Sequence, residues 1–414
     1  MRRAARPVAG RERDFTLYWV GTFWLMGAWG WTMPLLGVYL YEVGLGLGAI
    51  GVTQAVAGLL TFLSQAPLGH LSDRVGSRKR FLVAAVAAAV PLHALIPFTS
   101  SAVLLTALMS AAGVATSAYV TMLYASVSSL ARPDRQGRTF SAYRISGSLG
   151  WAVTTVSLAW VLGGWGVRGA FLLSAGVHAL VAWTLWRWLP EPPLVRPEQT
   201  PAPARAVPAR PASLPGPRVV LGMRDVALFL FAMAFFTFSM AAGAIYLPIF
   251  VRIDLGAGDA LFGTLMAVPA MFEVPFMLWL GRAGDRWGVR TLLLAGAAAA
   301  VVRWGALSLV SRPAHLYPLQ VLQSFAFSSA EILGVSYLST RLEAAIRGTA
   351  MGLLVSFQAL GRVTAPLVGG ALGERAGVEA IFLMASAAAG AGGVLLALSG
   401  SRRLRPCAAA SPRP

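Results

Sequence analysis

The chain is 414 residues long, 57% hydrophobic and only 12% charged, with a formal net charge of +18. So little charge cannot wrap a globule of this size in water, which excludes an ordinary soluble domain and places the chain in lipid. Its single cysteine, Cys407, excludes an intramolecular disulfide and a thiolate metal cluster.

A hydrocarbon core about 30 Å thick asks for about 20 apolar residues per helix. In chain order, such runs are predicted at 15–41, 49–70, 81–98, 102–130, 140–164 and 168–189, then at 225–251, 260–281, 291–310, 315–340, 346–372 and 377–400. They are long and continuous rather than short and alternating, so the expected fold class is an all-α membrane protein of twelve transmembrane helices, not a β-barrel. The basic start, Met1 to Arg13, precedes a first run that is too long for a signal-peptide core and lacks a small-residue cleavage site. It reads as a retained first helix. Residues 190–224 are rich in Pro, Ala and Arg, with Glu191-Pro192-Pro193 and Pro201-Ala202-Pro203, and residues 401–414 have the same character. Such composition favours extended or disordered backbone. The expected division is an N-terminal six-helix bundle (1–189), a cytoplasmic linker (190–224), a C-terminal six-helix bundle (225–400) and a cytoplasmic tail (401–414).

Basic residues set the orientation. The termini and the even-numbered loops hold 27 of the 34 positive charges, while the opposite loops hold four, Arg168, Arg252, Arg312 and Arg375. By the positive-inside rule both termini are cytoplasmic. A basic surface confined to short loops matches anionic headgroups, and no nucleic-acid module accompanies it, so the bilayer rather than nucleic acid is the expected partner.

The run Gly69-His70-Leu71-Ser72-Asp73-Arg74-Val75-Gly76-Ser77-Arg78-Lys79-Arg80 returns as Gly281-Arg282-Ala283-Gly284-Asp285-Arg286-Trp287-Gly288-Val289-Arg290. The second copy lacks the basic end of the first, having Thr291 and Leu292 in place of Lys79 and Arg80. Pro34 likewise corresponds to Pro248, Ile50-Gly51 to Phe262-Gly263, and Ser148-Leu149-Gly150-Trp151 to Ala359-Leu360-Gly361-Arg362, at offsets of 211 to 214. Two parallel halves imply a pseudo-twofold axis along the membrane normal and a cavity between them near mid-membrane.

On this duplicated plan and its repeated loop motif, the chain resembles the major facilitator superfamily over essentially its whole length. The resemblance implies alternating access of a central site to the two sides, with Gly69, Asp73, Arg74, Gly76, Arg78, Asp285 and Arg286 forming a cytoplasmic gate. The residues support part of this, since a carboxylate suits a helix terminus or an arginine fork and glycines permit tight turns. The competing reading is that the loop is a topology signal only.

The charges kept inside the membrane are the sharpest functional signal. Of sixteen acidic residues, Glu273 and Glu331 are the deep carboxyls, and Arg144, Arg303 and Arg362 are the deep cations. A central charge costs about 2.5–3.5 kcal/mol on insertion scales, so such residues usually face a cavity, a partner or an ion path. The proton-coupling set expected is Glu273, Glu331 and Arg303, one carboxyl carrying the proton while Arg303 or Arg144 approaches it as the cavity rearranges. The alternative is a permanent ion pair that locks helices together.

Arg144-Ile145-Ser146-Gly147-Ser148-Leu149-Gly150-Trp151 resembles the fifth helix of the lactose permease branch. That implies a donor fork from Arg144 to sugar hydroxyls and the Trp151 ring against a pyranose; a spacing of seven puts both on one helix face. Alternatively, Gly147 and Gly150 serve only close packing. The rest of that branch's pattern is missing, because Leu322, Gln323 and Ala326 stand where it has His and Glu, and Ser126 and Ser129 replace an acid. Phe272-Glu273-Val274-Pro275, Arg303-Trp304 and Leu319-Gln320-Val321-Leu322-Gln323 resemble the sugar efflux transporter family instead. Arg144, Trp151, Trp29, Gln54, Gln323, Gln358 and Arg362 form the expected substrate-binding set, while His93 and His178 read as structural. No Ser-His-Asp set, metal-spaced His or Cys cluster or phosphate loop is present, so neither an enzyme nor an ATP-driven pump is expected, and no cofactor. The expected function is proton-coupled secondary transport of a small solute in a bacterial cytoplasmic membrane, by a monomer, with sugar efflux first. Drug/proton antiport and symport of nucleosides or aromatic acids are the alternatives.

Overall fold

The computed structural model describes residues 8–75, 77–130, 136–191 and 216–400, and among these there is no strand. The helices of the first half are α1 (Val8–Glu42), α2 (Leu47–Val75), α3 (Arg78–Leu95), α4 (Ala102–Leu130) and α5 (Gln136–Trp188). A short α6 (Pro217–Leu221) precedes the second half, which has α7 (Arg224–Ile249), α8 (Asp259–Trp287), α9 (Val289–Leu307), α10 (Leu316–Ser328), α11 (Gly334–Arg341) and α12 (Ala344–Leu398). A π turn, Ser329–Leu333, makes one membrane span of α10 and α11. The first helix begins seven residues ahead of the predicted run, at Val8 rather than 15.

Two of these helices conceal reversals. In α5, Gly147 lies against Thr22 and Met26 of α1, and Val181 and Leu185 lie against Gly21 of the same helix. Residues on either side of Gly166 therefore meet α1 at one level, and the chain turns back at Gly166, where φ is 63°. In α12, Gly361 and Gly392 both meet α7 between Ala232 and Phe238, and the turn is at Gly377, φ 82°. A side chain at such φ would clash with its own backbone, which is why glycine stands at both. Each long helix thus supplies two antiparallel spans, and the described residues form twelve. The predicted runs that part at 164/168 and 372/377 are joined with almost no loop between them.

The repeat read from the sequence reappears in the closest helix contacts. Gly166 and Gly377 are 211 residues apart. Gly150 rests on the Phe23 carbonyl and Gly361 on the Ala234 carbonyl, which packs α5 on α1 and α12 on α7. Gly51 rests on the Pro366 carbonyl and Gly263 on the Thr155 carbonyl, which joins α2 to α12 and α5 to α8 across the two halves. Matched partners in both pairs lie one repeat apart, so the pseudo-twofold relates contacts as well as sequence. In lipid, where apolar burial gives no net drive between helices, close approach at small residues is what holds such bundles.

Each half also has its own aromatic centre. In the second, Trp304 is fully buried and stacks on Phe382 with ring centres 5.9 Å apart. In the first, the His93 and His178 rings stack at 4.6 Å, and each Nδ1 sits against a carbonyl one turn earlier. At the end of the molecule remote from Val8 and Leu398, the Glu374 carboxylate accepts the Gly48 N–H at the start of α2, linking the halves.

Candidate functional site

A cavity of about 560 Å³ lies between the halves, walled by α1, α2, α4 and α5 on one side and α7 to α10 on the other. A wider groove of about 840 Å³ between α2 and α4 carries no charged side chain and belongs to the first half alone. The cavity between the halves is the candidate site.

Its first wall is built on α5. Arg144 Nη2 donates to Glu273 Oε1 of α8 at 3.2 Å, so an ion pair bridges the halves. The carboxylate is the more enclosed partner, its side chain 16% exposed against 39% for the arginine. Ser148, one turn along α5, faces the same carboxylate, and Tyr124 of α4 faces the guanidinium. Trp151 continues this wall, with Trp29 and Met33 from α1 and Gln54 from α2 beside it.

The second wall follows from a proline. Pro269 has no N–H, so the carbonyl one turn earlier, Leu265, loses its helical donor. Gln320 of α10 fills the place, donating through Nε2 to Leu265 O at 2.9 Å. Held this way, Gln320 accepts Arg303 Nη2 on its Oε1 at 3.1 Å. Arg303 is 1% exposed, and its Cζ stands 3.7 Å from the centre of the Trp304 ring, a cation–π contact. Among the described residues no carboxylate pairs with Arg303, and its Nε and Nη1, like Gln323 Oε1, are without a hydrogen-bond partner. Ser324 and Ser328 donate to the carbonyls of Pro269 and Glu273, which fixes α10 against α8.

Of the residues expected at the site, Arg144, Trp151, Trp29, Gln54, Gln323, Glu273 and Arg303 line the cavity. Glu331, Gln358 and Arg362 are not in its lining. Glu331 lies in the π turn after α10, within electrostatic range of Arg144, Glu273 and Arg362, and Arg362 is exposed on α12. Of the two cations expected to approach a deep carboxyl, Arg144 takes Glu273, while Arg303 takes the neutral Gln320. Tyr124 and Tyr143, with rings 5.9 Å apart, line the cavity too. Tyr143 has a sequence signal in its adjacency to Arg144, a polar aromatic one residue from a deep cation, and Tyr124 has none.

At the expected gate, Gly69 packs near Thr121 of α4, Arg74 ends α2, Arg78 begins α3, and Asp285 and Arg286 are exposed at the end of α8. The Asp73 side chain and Gly76 lie outside the described residues. The carboxylate that serves the start of α3 comes from beyond α5, a residue placed in the linker by composition. Glu191 accepts the Ser77 hydroxyl at 2.8 Å and the Lys79 N–H at 3.2 Å, while Ser77 Oγ accepts the Arg80 N–H at 3.4 Å.

Comparison with known proteins agrees with this architecture. Residues 18–384 match the model of the MFS_1 like family. A proposed sugar efflux transporter of Deinococcus radiodurans is 27% identical over 366 residues, covering 86% of this chain and 90% of the relative. The multidrug resistance protein MdtG of Klebsiella pneumoniae is 26% identical over 404 residues, covering 93% and 92%. The crystal structure of the nucleoside transporter NupG is similar with a TM-score of 0.75 at 16% identity, over 92% of this chain and 97% of that one, a likeness of fold. Because the family match runs through both halves and the cavity they enclose, this chain belongs to the MFS_1 like family and is a transporter of the major facilitator superfamily.

Proposed function

We propose that this transporter is proton-coupled and exports a small hydroxylated solute, a sugar first, by alternating access of the central cavity. The observation that carries the reading is the Arg144–Glu273 pair, which ties α5 to α8 at the cavity wall. While Glu273 is ionised it holds the guanidinium and the two halves together. Protonation removes that charge, frees Arg144 to offer its donor fork to solute hydroxyls, and lets the halves part. Loss of the proton on the other side restores the pair. Trp151 presents a flat apolar face suited to a pyranose, and Gln54 and Gln323 add amide groups. The D. radiodurans relative supports sugar as cargo.

Drug/proton antiport is the second reading, favoured by the Met26, Met33, Met266 and Phe327 lining and by the MdtG relative. In either case we take 1–189 and 225–400 as the two rocking bundles and 190–224 as their tether. Both termini are then cytoplasmic in a bacterial inner membrane, and the monomer is the working unit.

The test is pH-driven flux in proteoliposomes, comparing labelled mono- and disaccharides with a cationic dye, for the wild type and Glu273→Gln. Gradient-driven sugar flux that disappears in the variant is the expected result. Sugar flux with undiminished pH dependence in Glu273→Gln would remove the coupling role, and dye flux without sugar flux would move the reading to drug export.

A further inference from the structure

We infer that the second wall of the cavity is an anion subsite, built around Arg303 for the carboxylate of a hydroxylated acid, a sugar acid rather than a neutral sugar. The inference rests on the reading above that the solute sits in this cavity, and it names the solute's charge.

The charge balance of the lining comes first. Its charged side chains are Arg144, Glu273 and Arg303, which sum to one positive charge. Glu273 is spent on Arg144. Arg303 is left with a neutral amide on one nitrogen, an aromatic face alongside, and two nitrogens without an acceptor, in a position 1% exposed. A buried guanidinium keeps its charge and calls for an anion. Among the described residues none is paired with it.

The position is also prepared. Gln320 is held by the Leu265 carbonyl that Pro269 sets free, and it holds Arg303 in turn, while the Trp304 ring supports the guanidinium plane. A donor fork fixed in this way meets a carboxylate without first having to be ordered. Gln323 adds the second half of the specificity. Its Oε1 is buried without a donor, three residues along α10 from Gln320, and a solute hydroxyl would satisfy it. One anionic group and one hydroxyl donor on a small solute answer the unpaired atoms of Arg303 and Gln323.

The experiment compares D-glucuronate with D-glucose, which differ at a single carbon, on the purified full-length chain at neutral pH and matched ionic strength. Ligand-dependent stabilisation and competition for flux in proteoliposomes are the two readouts. The expected result is a preference for glucuronate of about tenfold or more in the wild type, lost in Arg303→Gln with glucose binding retained, and partly kept in Arg303→Lys. Gln323→Leu, which leaves the charge in place, should weaken both ligands several-fold. Equal binding of the two sugars by the wild type would overturn the inference. So would a preference that survives in Arg303→Gln, because it would then come from the general positive charge of the protein. Should Arg303→Gln not fold, the wild-type comparison and Gln323→Leu still decide. Glucose transport without glucuronate preference would leave the sugar-carrier reading standing and the anion subsite refuted; binding of neither compound beside robust dye flux would refute both.

Discussion

Replacing Gly150 by alanine tests whether the repeated glycine contacts hold the bundles. A Cβ there would fall 2.8 Å from the carbonyl carbon of Phe23 and 3.1 Å from its Cα, and closer still to the carbonyl oxygen. These are backbone atoms that cannot swing aside, so α1 and α5 must separate by roughly the shortfall from van der Waals contact, along a seam that also includes Gly147. Overpacking of a closed contact costs about 1–3 kcal/mol, offset by up to about 1 kcal/mol of helix propensity gained from Gly to Ala. A net loss of about 1–2 kcal/mol lowers the thermal midpoint by roughly 1–2 °C in a chain of this size. Gly361→Ala should match it, because Gly361 meets the Ala234 carbonyl as Gly150 meets that of Phe23. Gly176→Ala is the control, since nothing lies within 4 Å of a Cβ at that position, and it should be neutral or slightly stabilising. The assay is the fraction of monodisperse protein left after a heating series in detergent. Gly150→Ala and Gly361→Ala melting together with Gly176→Ala would refute the argument that these glycines set the helix approach.

Two further outcomes follow from contacts at opposite ends of the molecule. Glu374→Gln weakens a charge-assisted bond to the Gly48 N–H at the start of α2, worth about 1 kcal/mol at an exposed site. In a Cys407→Ser background it should speed labelling of Gln54→Cys from that face about fivefold, and an unchanged rate would show that this bond does not help close the cavity. Glu191→Gln leaves one acceptor oxygen where the Ser77 hydroxyl and the Lys79 N–H at the start of α3 use two, a cap-like loss of about 1 kcal/mol. Asp285→Asn, at the exposed end of α8, should stay within about 0.5 kcal/mol of the wild type in the same melting assay.

How much of this was legible in the sequence depended on whether the signal was local. The twelve spans were, because a run of apolar residues of bilayer length has one stable form in lipid. The twofold plan was legible too, since Gly51 and Gly263, or Gly150 and Gly361, stand one repeat apart, and the same residues make the matched contacts. Deep charges also stood out, their insertion cost being a property of each residue. Their pairing did not. Whether Arg144 or Arg303 meets Glu273 is set by how α5, α8 and α9 are rotated about their axes, and that depends on contacts between residues more than a hundred positions apart. The partner of Gln320 was out of reach for a related reason. The missing donor at Pro269 is visible in sequence, but which side chain answers the free Leu265 carbonyl is decided only by packing. Tyr124 and Tyr143 join the site only through the packing that brings both to the cavity wall.

The single-residue turns at Gly166 and Gly377 constrain how this machine can move. A connection of one residue leaves no slack, so the two spans it joins cannot slide past one another or pivot apart by more than a bond rotation allows. Each pair travels as one paddle, fixed at the end where the halves are also tied through Glu374 and Gly48. On the alternating-access reading proposed above, strain imposed on Arg144 is therefore expected to move both spans of its pair together rather than one past the other.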